Sequence, residues 1–152
     1  CPTGKDEGWS PVLGRKAIAE LLGERNLIEA VDCCVHWRRG YGVARSVLQI
    51  LRPPVAMQRC LEIYRNDQKI EVRRAAVALL ESVGDRAVLA FVRQFWEDPD
   101  EGIQNWGVGV VDHLLFSGLI SIDEAEEYLK LGENHPNPTV RETVGELRSK
   151  YS

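Results

Sequence analysis

EVRRAAVALLESVGD, residues 71–85, holds the pattern on which the fold turns. Counting from Val72, small or apolar side chains fall at Ala76 and Leu79, and a spacing of 0, 4 and 7 lines one face of an α-helix. The pattern recurs outward in both directions: LGRKAIAEL from Leu13, VARSVLQIL from Val43, IQNWGVGVV from Ile103 and VRETVGELR from Val140. Successive starts lie 30, 29, 31 and 37 residues apart. The fourth residue after each start is Ala17, Val47, Ala76, Gly107 and Val144. The seventh is Glu20, Ile50, Leu79, Val110 and Leu147, with Leu21 able to substitute for the polar Glu20.

Other helices are expected between these. NLIEAVDCCVHWR (26–38) keeps Leu27, Val31 and Cys34 in line, and PVAMQRCLEIYR (54–65) opens on a proline suited to a first turn. DRAVLAFVRQFW (85–96) follows Gly84, a helix terminator, and 121–131 opens with Ser121 and Glu124 in capping-box spacing. The unit is helix, short turn, helix. A period near 30 predicts a solenoid, in which each pair buries its apolar face against its neighbours.

DQKIEVRRAAVALL (67–80) and HPNPTVRETVGEL (135–147) resemble the second helices of HEAT repeats, in the short form also called bilin-lyase-like repeats. In that family an Asp in the turn and an Arg after the Val form a ladder. Asp67 and Arg73 match both positions. Asp98 matches with Gln104 in place of the Arg, and Arg141 matches with His135 in place of the Asp. The units around Leu13 and Val43 lack both marks, so the likeness is carried by residues 67–151. It implies an all-α, right-handed solenoid of about five HEAT-like hairpins, one domain over 1–152, whose second helices line a concave surface. It does not name a partner.

Composition narrows the function. The 152 residues are 44% apolar and 28% charged, the balance of a folded soluble domain. A net charge of -4 disfavours nucleic acid, whose binding rests on Lys and Arg displacing counterions. The best apolar run, VGVVDHLLFSGLI, is broken by Asp112 and His113, so no membrane span is expected. No signal-peptide pattern is seen; the opening Cys1 reads as a trimmed chain, with a lipidated cysteine as the alternative. Cys33, Cys34 and Cys60 suit neither a disulfide framework nor a zinc spacing, even with His36 in CCVH. Free packing thiols, and with them a cytoplasmic location, are the expectation.

Catalytic sets are absent by the same reasoning. Cys34 with His113 is the one conceivable nucleophile pair, and nothing local activates either member. GVGV at Gly107 lies within a helical repeat, where its glycines allow close packing and do not form a phosphate loop. EDPDEG (97–102) and DEAEE (123–127) read as acidic residues at helix starts or a solvated face, not as a calcium loop. Trp37 and Trp96, near the ends of first helices, are expected to plug junctions between repeats. Trp106 flanks an apolar stripe; core packing is its first expectation and a partner anchor its second.

The face opposite the stripe carries the functional signal. Two residues after each start come Arg15, Arg45, Arg74, Asn105 and Glu142; six after, Ala19, Gln49, Ala78, Gly109 and Glu146; nine after, Leu22, Arg52, Glu81, Asp112 and Ser149. This predicts a surface that is basic toward the N-terminus, acidic toward the C-terminus and low at Ala78 and Gly109. The expected activity is binding of another protein, without chemistry, metal or cofactor, by Arg45, Arg52, Arg74, Glu81, Asn105, Trp106, Asp112, Glu142 and Glu146. Among proteins of this type, an immunity protein that occludes a toxin is the specific expectation, and an adaptor in a larger complex the broader one. The alternative is an enzyme resembling bilin lyases, which needs a tetrapyrrole-sized groove, or HEAT-like DNA glycosylases, which need a basic channel.

Overall fold

The computed structural model describes residues 11–151, so Cys1 and Trp9 lie outside the described residues. Those residues form nine α-helices and no strand: α1 Pro11–Leu22, α2 Glu24–Val35, α3 Tyr41–Leu51, α4 Pro54–Asn66, α5 Ile70–Val83, α6 Val92–Glu97, α7 Glu101–Phe116, α8 Ile122–Glu133 and α9 Pro138–Tyr151. A 3-10 segment, Arg86–Phe91, leads into α6.

The local chemistry that starts each helix is visible. Pro54 occupies the first turn of α4, where its missing N–H is no loss. Asp100 caps α7 by accepting the Ile103 amide at 2.9 Å. Ser121 and Glu124 form the expected capping box of α8. The single helix expected over 85–96 is instead split. Asp85 accepts the Ala87 amide at 2.7 Å and starts the 3-10 segment, which buries Val88 before α6 buries Val92, Phe95 and Trp96. In a 3-10 turn side chains recur every three residues, so the helical spacing read across this stretch does not apply.

Packing pairs α2 with α3, α4 with α5, α6 with α7 and α8 with α9, while α5 also lies along α7 and α7 along α9. The apolar stripe is buried as expected in the three later helices: Val72, Ala76 and Leu79 in α5; Ile103, Gly107 and Val110 in α7; Val140, Val144 and Leu147 in α9. Close approach needs the glycines. A Cβ on Gly107 would sit 2.9 Å from that of Phe95, and one on Gly132 would sit 3.2 Å from the Trp96 ring. Trp96 thus fills the junction assigned to it.

The first two units depart from their expected register. In α3 the buried residues are Leu48 and Leu51, whereas Val43 and Ile50 are 72% and 64% exposed. The helix is turned so that the buried row runs one residue later than the row read from the sequence. In α1 no residue is buried, and Leu13 and Leu21 stand in solvent. Trp37, expected as a plug, is 65% exposed.

The Asp–Arg pairing implied by the resemblance exists, but between successive turns. Arg73 reaches past its own Asp67 to Asp98, at 2.5 Å, and donates to the Tyr64 carbonyl at 2.8 Å. Tyr64 donates its hydroxyl to the same Asp98 carboxylate at 3.2 Å, and burial beside that carboxylate pushes the phenol up to about 12. Gln104 continues the chain by donating to the Asp98 carbonyl at 2.7 Å and accepting from Asn137 at 2.9 Å. Asp98 is almost wholly buried, so removing one partner leaves a desolvated charge. Arg73→Ala, which strands that carboxylate, is expected to cost about 3–5 kcal/mol in urea unfolding. The apolar pair Arg73→Met with Asp98→Leu should recover much of that loss, and a double variant no better than the single would contradict this account.

Candidate functional site

Helices α3, α5, α7 and α9 place the expected binding residues on one series of neighbouring elements, and small side chains keep the middle of that face low. Glu81 lies over α7 where a Cβ on Gly109 would be only 2.9 Å from its carboxylate. Its half-buried position raises its proton affinity above the usual carboxylate range; Arg45 opposes that shift and Asp112 adds to it. Arg45 itself is exposed and donates to Ser82 Oγ at 3.3 Å.

The three arginines do not form one free positive patch. Arg74 is forked onto Asp100 at 2.8 and 2.5 Å, and this hydrogen bond holds the Asp100 carboxyl below its ordinary range. Arg52 sits beyond the end of α3 in a left-handed conformation, φ 43°, close enough to His113 to disfavour its protonation. Only Arg45 remains beside the centre of the face. At the other end Asp112 accepts from Lys150 at 3.1 Å and from Tyr151 at 3.0 Å. Asn105 accepts from Asn137 at 3.1 Å, while Glu142 and Glu146 are exposed.

Trp106 is 40% exposed and forms one wall of a cleft of about 120 Å3. Trp37, Tyr41 and Arg45, from α3 and the turn before it, and Ala75 and Ala78, from α5, line the same cleft. Trp37 and Tyr41 meet edge to face at 4.9 Å. Trp37 has φ 52°, a left-handed conformation that bulky side chains rarely adopt. Its amide donates to the Cys34 carbonyl at 3.2 Å, and the Cys34 thiol reaches the Tyr41 carbonyl at 3.5 Å, which closes the turn. Sequence reasoning missed Trp37 and Tyr41 as site residues. The available signal was the RRG that follows Trp37, a turn able to eject the ring from the helix.

The nucleophile pair has no activation here. Burial pushes the Cys34 thiol up to about 11, with Cys33 adding to the shift and Arg45 opposing it. Cys33, Cys34 and Cys60 are free thiols. Among the described residues no group of three or more His, Cys, Asp or Glu is disposed to hold a metal ion. No helix of those residues is long and apolar enough to cross a membrane. Comparison with protein-family models, with curated proteins and with solved structures returned no match.

Two titrations on this face have opposite signs. Glu81 binds its proton more tightly folded than unfolded, so its contribution is full at low pH and is lost as pH rises through the folded value. Glu81→Gln should therefore raise the melting temperature at neutral pH, with the gain shrinking as pH falls into the carboxylate range. His113 binds its proton less tightly folded, through burial first and then Arg52, and its buried Nε2 has no partner among the described residues. Wild-type stability should fall as pH drops below about 6.5, the unfolded value, and His113→Gln should flatten that slope. Urea midpoints at several pH values read both effects, and parallel curves for all three proteins would refute them.

Proposed function

We propose that the protein is a non-enzymatic protein-binding scaffold: a short, right-handed, HEAT-like α-solenoid whose second helices, α3, α5, α7 and α9, present the docking face. The observation that supports this reading most is Trp106, exposed on that face beside the low positions Ala78 and Gly109 and opposite Trp37. Exposed tryptophans gathered about one depression are the usual anchors of a protein interface, whereas scattered exposed leucines need no explanation. The pairing of α2 with α3, α4 with α5, α6 with α7 and α8 with α9 is the contact pattern a solenoid of hairpins requires. The specific form of the proposal is an immunity protein, which would occlude a toxin by covering its working surface.

Charge along the face would set orientation and encounter rate, while affinity would come from the rings. A photo-crosslinking residue at Gln49, on α3 within the proposed face, is expected to give an adduct of discrete mass with a partner protein in the source cell. The same group at Gln58, on α4, should give none. Trp106→Ala should remove the Gln49 adduct without altering the melting temperature by more than a few degrees. Adducts from Gln58 with none from Gln49 would move the interface to the other helical row.

A further inference from the structure

We infer that the cleft between Trp37 and Trp106 receives one large apolar side chain of an acidic peptide segment in the partner protein, with Arg45 taking an adjacent carboxylate. This rests on the protein-binding reading and names the chemistry of what binds. Size points to a side chain. The cleft measures about 120 Å3, below the ~300–1,000 Å3 typical of pockets for whole small molecules. A tetrapyrrole or a dinucleotide does not fit; a phenylalanine, leucine or tryptophan side chain entering from the open side does.

The walls favour such a guest. Trp37, Tyr41 and Trp106 present ring faces and edges, and Ala75, Ala78 and Leu79 form an apolar floor. Trp37 is held in its uncommon left-handed backbone by the compact turn behind it, and it stands 65% exposed with Tyr41 as a ring neighbour. Backbone strain that keeps a large ring in water, without a core contact to show for it, is a mark of a functional surface.

Charge decides between the two guests that aromatic clefts take. Rings of this kind also cage quaternary ammonium groups, as in methylated lysine. Here Arg45 lines the cleft and Arg39 follows Trp37 in the same turn, so a cationic guest meets repulsion. Arg45 spends one N–H on Ser82 and can offer others to a carboxylate in a forked geometry. Glu81 does not line the cleft; it lies over Gly109, within electrostatic reach of Arg45 but with no ion pair to it. Arg74 is already neutralised by Asp100 and adds nothing to the site.

The test uses a dye-labelled, capped peptide with one phenylalanine among four glutamates, read by fluorescence anisotropy on the full chain. Saturable binding is expected, weakened by added salt. Replacing the peptide's phenylalanine by alanine, or making Trp37→Ala, Trp106→Ala or Arg45→Gln in the protein, should each weaken it by more than about tenfold. Arg93→Gln, on α6 and outside the cleft, should leave binding unchanged, and melting curves check that every variant is folded. Equal or tighter binding of the same peptide with four lysines would overturn the charge assignment, and indifference to Trp37→Ala would overturn the site. No binding of the acidic peptide, with the Gln49 adduct intact, would overturn this inference alone. Loss of the adduct as well would remove the scaffold reading beneath it.

Discussion

The buried carboxylate of Asp98 is the constraint on which the arrangement depends. Its oxygens meet the Arg73 guanidinium, the Tyr64 hydroxyl and the amide of Asp100, at 2.5, 3.2 and 3.0 Å. Its carbonyl takes the Gln104 amide, and Gln104 passes the chain on to Asn137. One side chain therefore ties the end of α4, the start of α5 and the turn before α7 together, and the backbone carbonyl of the same residue connects them through Gln104 to the turn before α9. Burying a charge for this purpose costs desolvation that its partners only offset. What it yields is register. Arg73 and Arg74 are adjacent on α5 and both grip the 98–100 turn, so α7 cannot slide or rotate against α5 without breaking two ion pairs. Trp106 lies only six residues beyond Asp100, within that pinned end of α7.

Small residues then decide which rings are buried and which stand free. Gly107 and Gly132 let Trp96 into the junction between α7 and α8, where it is 4% exposed. Ala75 and Ala78 line the open side, where they leave a hollow beside Trp106 that larger residues would fill. The same economy of side chains that closes the core on one side of α7 opens the cleft on the other. Structure and site are two consequences of one pattern of glycine and alanine.

Much of this was legible in the sequence where helical spacing and strong tertiary packing agree. The stripes of α5 and α7 are legible because each is flanked by a second row of apolar residues on the same side, such as Val77 and Leu80 in α5, and that of α9 because Val140, Val144 and Leu147 have no competing row. In α3 two rows compete, Val43 and Ile50 against Leu48 and Leu51, and spacing alone cannot say which the neighbours will cover. Pairings distant in sequence were not legible. Arg74 looked free because Asp100 lies 26 residues away, and Lys150 beside Asp112 is 38 away. Trp37 departs from expectation for a different reason: the helix ends at Val35, three residues short of the 26–38 span, and Trp37 enters the left-handed turn that follows.

The departures in α1, in α3 and at Trp37 share a location, and that location bears on function. The helices from α4 onward each bury three residues or more and α2 buries Leu27, Val31, Cys34 and Val35, whereas α3 buries only Leu48 and Leu51 and α1 buries nothing. The cleft lies across this boundary. Tyr41 and Arg45 belong to the sparsely buried α3, Trp37 to the turn before it, and Ala75, Leu79 and Trp106 to the more deeply buried α5 and α7. A side chain seated there would touch α3, α5 and α7 at once. By mass action, a ligand that needs both walls in place favours the state in which they are held together. A guest bound to both walls would therefore stabilise the seating of α3, which buries only Leu48 and Leu51, against α5 and α7.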